Sequence, residues 1–490
     1  MSASPESSPT TIDTLAPSVR AVHVDAAAVS GLRPLNGVGG VPSPVTGFPQ
    51  FPDMTPVWKE AGVTLVRSFD WVSRLDTRDN PTSLFPEWDA DPDDPASYNF
   101  TATDEWVDAV HAIGAEVVFT IASSIPSNKL PAHDLEVYGR VVEHIVRHYV
   151  QGWADGPSTS IRRWEFGDQP DLGPLHFDGR PEEFAEMYAA FCAAVQRVDD
   201  SLIIGGPALA FPLNADAAYR EGFLSFVRER RLPLDFFSFL WFTDSTRDPQ
   251  NFGYVADDLR RLLDEYGFTA TELWLCYWNY LSIPTSSAPS DEKGAFQAAT
   301  TIALQDTAID RAFFFRADSG LDPHYGMVDP AGISGAEGPD ERTRALILAG
   351  KATSGERLAV TGGDTSGFAC LASRDGDTVR LLVANFVAPE SALAPRESDT
   401  FSFRIPIGEQ RIELSLDLPP QRPELASAGV TSAHVTIDNL PWAGRTVSIT
   451  RTALTGDPTA PREARVSDAG SLELELDITP QSAVLVEVTA

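Results

Sequence analysis

The stretch EEFAEMYAAFCAAVQRVDDSLIIGGPALA, Glu182 to Ala210, decides the fold. Phe184, Met187, Tyr188, Phe191 and Val195 recur at three- and four-residue steps, so a helix here buries one face. LIIGGPA, Leu202 to Ala208, then reads as a short buried strand. Just upstream, RRWEFGDQPDL (Arg162 to Leu172) opens as a strand, with Trp164 and Phe166 flanking Glu165, and breaks at Gly-Asp-Gln-Pro. Strand, helix, strand in this order is the repeating unit of a parallel sheet.

Working outward, the unit repeats. LNGVGGV, VTLVRSF, EVVFTIA, RRWEFGD, LIIGGPA, FFSFLWF, ELWLCYW and AFFFRAD are eight short apolar runs between Leu35 and Asp318, interleaved with amphipathic segments. Runs this continuous fit strands buried on both faces, and eight of them predict a TIM (β/α)8 barrel. After Lys351 the period falls to two, broken by Gly and Asp turns, as in SLELELDI and SAVLVEVTA, which predicts an appended antiparallel β-sandwich domain. The expected division is a disordered tail over 1–17, a strand joining the sandwich over 18–32, the barrel over 33–352 and the sandwich over 353–490.

The chain has 490 residues and a formal charge of −33, from 70 acids against 37 Lys and Arg. That field disfavours nucleic acid and anionic membrane as partners. No apolar run is long enough to cross a bilayer. Three cysteines, Cys192, Cys276 and Cys370, are too few and too far apart for a disulfide framework. The polar, Ser- and Pro-rich first residues lack the pattern of a secretory signal, so the expected setting is cytoplasmic. No metal-ligand spacing or cofactor motif is present. Gly37 to Gly40 has no Lys-Ser/Thr after it and so is no phosphate loop. The expected cofactor set is empty, and the oligomeric state is not legible.

YNFTATDEWVDAVHAIGAEVVFTIASSIP, WEFGDQPDL, VDDSLIIGGPA, LWLCYWN and GMVDPAGI resemble, in order, segments of glycoside hydrolase family 39, the β-xylosidase and α-L-iduronidase family. The resemblance implies a barrel with a β-sandwich and a glycoside site at the carboxyl ends of the strands. The family uses an acid/base Glu in an Asn-Glu-Pro motif after strand four and a nucleophile Glu before a Trp-Asn pair at the end of strand seven. In a retaining enzyme the two carboxyls stand ~5–5.5 Å apart. In this chain the resemblance puts Asp168 at the Asn, Gln169 at the acid/base and Tyr277 at the nucleophile, ahead of Trp278 and Asn279. Phe69, Leu240 and Phe242 likewise replace polar residues of the family's rim.

An amide has no proton to give a leaving oxygen, and losing general acid catalysis costs ~10²–10⁴ in rate. Asp168 either substitutes as the acid or replaces a sugar-binding Asn and pairs with an Arg. Tyr277 is either a nucleophile of the kind sialidases use, with Glu165 as its base, or a structural replacement. Glu165 is otherwise a hydrogen-bonded support of the barrel floor. Glu272 lies at the wrong end of strand seven. Arg67 and Arg316 stand near strand ends, to meet an anionic substrate or to pair with internal acids such as Glu165. Trp71, Trp241 and Trp278 either stack on sugar faces or plug the packing. Asp70 and Asp76 follow strand two, with a solvated role as the default.

Three functions follow: an enzyme with altered chemistry on a glycoside, a pseudo-glycosidase that binds a saccharide or a protein, or a structural platform. The partner expected in the first two is a saccharide or glycoside.

Overall fold

The computed structural model describes residues 18–490 apart from 49–50, 69–71, 74, 76–81, 122–133, 158–160, 244–246, 281–287, 319–339, 364–366, 408–409 and 423–429. Phe69, Asp70, Trp71, Asp76 and the GMVDPAGI run lie outside the described residues.

Eight parallel strands close into a barrel. They are β2 (Gly37–Gly39), β3 (Leu65–Arg67), β4 (Glu116–Ile121), β5 (Arg163–Phe166), β6 (Ile203–Leu209), β7 (Phe236–Phe242), β8 (Glu272–Asn279) and β9 (Arg311–Phe314). Each is followed by a helix: α1 (Thr55–Glu60), α2 (Thr101–Ala112), α3 (Leu135–Gln151), α4 (Pro181–Val198), α5 (Phe223–Arg230), α6 (Asn251–Glu265), α7 (Ser290–Leu304) and α8 (Glu341–Ala352). The helix read from the opening stretch is α4, and its predicted apolar face, Phe184, Met187, Tyr188, Phe191 and Val195, is buried.

Two apolar layers result. Trp164, Phe166, Phe237 and Phe239 point outward and pack with the helices, whereas Leu65, Val118, Phe236, Trp274 and Phe313 fill the inside of the barrel. Strand alternation produces this division, because neighbouring residues face opposite sides.

The second domain is a nine-stranded sheet in the order β17-β16-β19-β12-β11-β10-β1-β15-β18. Its members are β1 (Ser18–Ser30), β10 (Glu356–Thr361), β11 (Phe368–Asp375), β12 (Thr378–Asn385), β15 (Val430–Asp438), β16 (Thr446–Ala453), β17 (Arg462–Arg465), β18 (Leu472–Asp477) and β19 (Ser482–Thr489). The pairing is antiparallel except between β1 and β15, which run parallel, so the sheet is mixed. One side encloses its own core around Val24, Leu381, Val435 and Val486. The other, through Leu371, Leu382 and Leu485, joins the barrel's core by way of α7. A separate two-stranded hairpin, β13 (Thr400–Ile407) and β14 (Gln410–Asp417), stands outside this sheet.

Among the described residues no helix is long and apolar enough to cross a membrane. Cys192, Cys276 and Cys370 are free and buried.

Candidate active site

β5 ends at Phe166, and the chain turns through Gly167 and Asp168 to Gln169, whose backbone is left-handed at φ 54, ψ 49. Only Gly enters this region cheaply. A hydrogen bond from the Gln169 N–H to the Ala208 carbonyl, 2.8 Å, holds the turn against the end of β6. Gln169 is half-buried, and its amide lies 3.4 Å from an Asp168 oxygen, so the side chain stays at the mouth.

Below it lies a buried charged cluster. Arg67, at the end of β3, donates from Nε to Glu165 Oε2 at 2.5 Å and from Nη2 to Asp168 Oδ1 at 3.2 Å. The Thr120 hydroxyl donates to the same Glu165 oxygen at 2.6 Å. Glu165 is fully buried, and its Oε1 has no hydrogen-bond partner among the described residues. Burial opposes the Arg67 charge, but Glu165, Tyr277, Cys276 and Asp168 more than offset it, and the guanidinium is held charged.

Tyr277 fills the centre. Arg67 lies over its ring, 4.4 Å from the centroid, and Phe315 packs beside it with centroids 4.3 Å apart. A Cβ on Gly39 would sit 2.4 Å from the ring, so β2 needs Gly there to admit the tyrosine. The phenol donates to the Ser68 carbonyl at 3.4 Å. Burial drives its pKa well above the ordinary range, Arg67 pulls the other way, and Asp168 adds to the rise. A phenol raised in this way is a weak nucleophile at neutral pH.

The structure separates residues that sit together in sequence. Between β7 and β8 the register shifts: Phe239 faces Leu275, but Leu240 faces Tyr277, leaving Cys276 as an extra residue. Such a bulge reverses the alternation beyond it. Cys276 and Tyr277 therefore both face the barrel interior with Trp274. Trp278 is turned to the helix layer, edge-on to Phe252 of α6 and to Phe314. Trp241, its partner across the strands, lies in the same outer layer. Both indoles pack away from the barrel interior.

Asn279 spends its amide on backbone: Nδ2 donates to the Phe315 carbonyl at 2.6 Å, and Oδ1 accepts from the Tyr280 N–H at 2.6 Å. Arg316 is buried against Asp318, with Nη2 to Oδ2 at 3.0 Å, and lies over the Phe51 ring. Glu272 accepts from the Trp274 indole at 2.8 Å, at the start of β8. Leu240 is buried, and Phe242 packs against the same interior cluster.

Two residues at the mouth escaped the sequence reading. His176 Nδ1 is 3.1 Å from the Asp168 carbonyl and 3.6 Å from its Oδ2; burial lowers the imidazole pKa while Asp168 opposes the fall. Asp171 accepts from the Ala210 and Phe211 N–H groups at 2.8 and 2.7 Å, and burial raises its pKa to about 6 despite those bonds. Its signal was the position two residues after Gln169, but its partners belong to the next βα loop. Among the described residues no group of three or more His, Cys, Asp and Glu is placed to hold a metal.

The closed barrel with its appended sheet domain agrees with comparison to known proteins. The sequence profile of glycosyl hydrolases family 39 matches residues 57–250. The crystal structure of a glucosidase from Croceicoccus marinus shares 46% identity over 97% of this chain and 99% of that one, with a TM-score of 0.89. The chain belongs to glycosyl hydrolase family 39. Among curated relatives, a β-xylosidase of Caldicellulosiruptor saccharolyticus is 24% identical over 304 residues, covering 58% of this chain. A β-xylosidase of Geobacillus stearothermophilus is 26% identical over 177 residues, covering 33% of this chain. The matched parts span 59% and 34% of those two relatives' own lengths.

Proposed function

We propose that this family 39 protein recognises a glycoside, of the glucoside or xyloside class, at the mouth formed by Asp168 and Gln169. We further propose that it does not carry out two-carboxylate retaining hydrolysis. The observation carrying this reading is the setting of Tyr277: an unionised phenol wedged between Gly39, Arg67 and Phe315. On the proposed correspondence it stands where the nucleophile belongs, and Gln169 stands where the acid belongs. Arg67 lies against Glu165, Asp168 and the Tyr277 ring, so it is engaged within the cluster and is not proposed as an anion receptor. Arg316, engaged with Asp318, is likewise not proposed as one. Three free, buried cysteines support a cytoplasmic setting.

A second reading is favoured by the similarity to the Croceicoccus marinus glucosidase. It has slow turnover of a glucoside with Asp168, next to His176, as the proton donor. Incubation with activated 2-fluoro glucosides and xylosides, followed by intact mass measurement, separates these readings, together with binding isotherms and assays on aryl glycosides. The expected result is binding with no covalent adduct and no turnover above the background rate. An adduct on any Asp or Glu overturns the proposal. Turnover lost in Asp168→Asn but kept in Tyr277→Phe selects the second reading.

A further inference from the structure

The β13–β14 hairpin belongs to the second domain by sequence, yet β14 also bonds to the barrel. Ala215 N–H donates to the Ser415 carbonyl at 2.8 Å and Asp417 N–H to the Leu213 carbonyl at 3.1 Å, and Asn214 bridges to Leu416. Residues 213–215 lie in the loop after β6, at the carboxyl end of the barrel. These bonds seat the hairpin on this loop, and Leu414 and Leu416 are buried. Five residues past β14, Arg422 clamps Asp248 in the loop after β7, with Nε to Oδ2 at 2.5 Å and Nη2 to Oδ1 at 2.7 Å. Asp248 is 2% exposed. A two-pronged Arg–carboxylate pair with a buried acid fixes orientation as well as distance.

The loop after β6 is tied at its other end to the candidate site. Ala210 and Phe211 donate to Asp171, two residues after Gln169, and the Gln169 N–H reaches Ala208. From hairpin to mouth, backbone pairing links Leu416 to Asn214 and Asn214 to Phe211, and the Asp171 carboxylate takes the Phe211 N–H two residues past Gln169.

We propose that the hairpin and the Arg422–Asp248 pair are positioning elements of the glycoside site. They hold the rim loops after barrel strands five and six, and so set which groups fit beyond the sugar ring bound at Gln169. This rests on the glycoside-binding reading above. The hairpin and the segment that follows it are then working parts of the site.

The test uses the full chain and Arg422→Ala, with Arg422→Lys as the conservative comparison. Two readouts separate the hairpin's hold from glycoside binding. Hydrogen exchange of the Ala210, Phe211 and Ala215 amides is followed without ligand, with amides of α3 and α4 as internal controls. The expected result is faster exchange at the three rim amides in Arg422→Ala, with unchanged rates in α3 and α4. Equal rim exchange in both proteins overturns the proposal, as does a uniform rise that includes the controls.

Affinities for methyl glucoside and methyl xyloside are then compared with those for their aryl and disaccharide counterparts. Arg422→Ala should weaken the longer ligands roughly tenfold and the methyl glycosides less than about twofold. Equal losses for both overturn the specificity role. No binding of any glycoside by the unaltered protein defeats the glycoside reading, while the exchange result still decides whether the hairpin holds the rim.

Discussion

Replacing Arg67 by Met tests whether one buried cation holds the candidate site together. The Arg67 side chain is 2% exposed and serves Glu165, at 0%, and Asp168, at 9%. Met keeps the apolar stem but leaves both carboxyls without the guanidinium. Removing one partner of a buried ion pair costs about 3–5 kcal/mol, and the Thr120 hydroxyl offsets only part of that. A loss of at least about 3 kcal/mol is therefore expected at pH 8.

The pH dependence has a definite sign. Carboxyls stripped of their cation in a buried site bind protons more readily than in the unfolded chain. The folded variant then carries the extra protons, so its deficit is full at high pH and shrinks as pH falls toward about 4, the ordinary carboxylate range. Urea unfolding at pH 8 and pH 5 measures both quantities. The double variant Arg67→Met/Glu165→Gln should recover a large part of the loss, because the fully buried charge is gone. A deficit below about 1 kcal/mol at pH 8, or one equal at the two pH values, refutes the reasoning.

Asp171 gives a second pH signature. Its folded pKa of about 6 lies above the ordinary 3.8, so its contribution is fully present below about 4 and is lost as pH rises through 6. The lost stability is on the order of 3 kcal/mol, and Asp171→Asn should flatten the unfolding midpoint between pH 4 and 7. Gly39→Ala should cost about 1–3 kcal/mol by overpacking the Tyr277 ring, and its combination with Tyr277→Leu should cost less than the two single losses added together in denaturant titrations. Gln169→Gly should relieve about 1–2 kcal/mol of left-handed strain against about 0.5–1 kcal/mol of added chain entropy. The protein should thus melt no lower while losing glycoside affinity in isotherms; a lower melting point with unchanged affinity contradicts a ligand role for that side chain. Finally, Gln169→Glu/Tyr277→Glu should raise aryl glycoside hydrolysis by on the order of 10² or more, the share expected from general acid catalysis alone.

The barrel was legible because its signals are local. Continuous apolar runs mark strands buried on both faces, and the three- and four-residue steps of Phe184 to Val195 mark a helix, whatever lies elsewhere in the chain. The place of Asp168 and Gln169 followed from where β5 had to stop, and the inward direction of Glu165 from strand alternation. Tertiary structure decided the rest, since each remaining feature depends on a partner strand or loop distant in sequence. The register of β8 against β7 inserts Cys276 as an extra residue, which turns Tyr277 into the barrel and Trp278 out of it. Strand alternation alone predicts the reverse. Only folding brings Arg67 to Glu165 across 98 residues, or Arg422 to Asp248 across 174. A sequence shows which side chains can ionise or stack; which of them meet is fixed by register and loop docking, which no local pattern encodes.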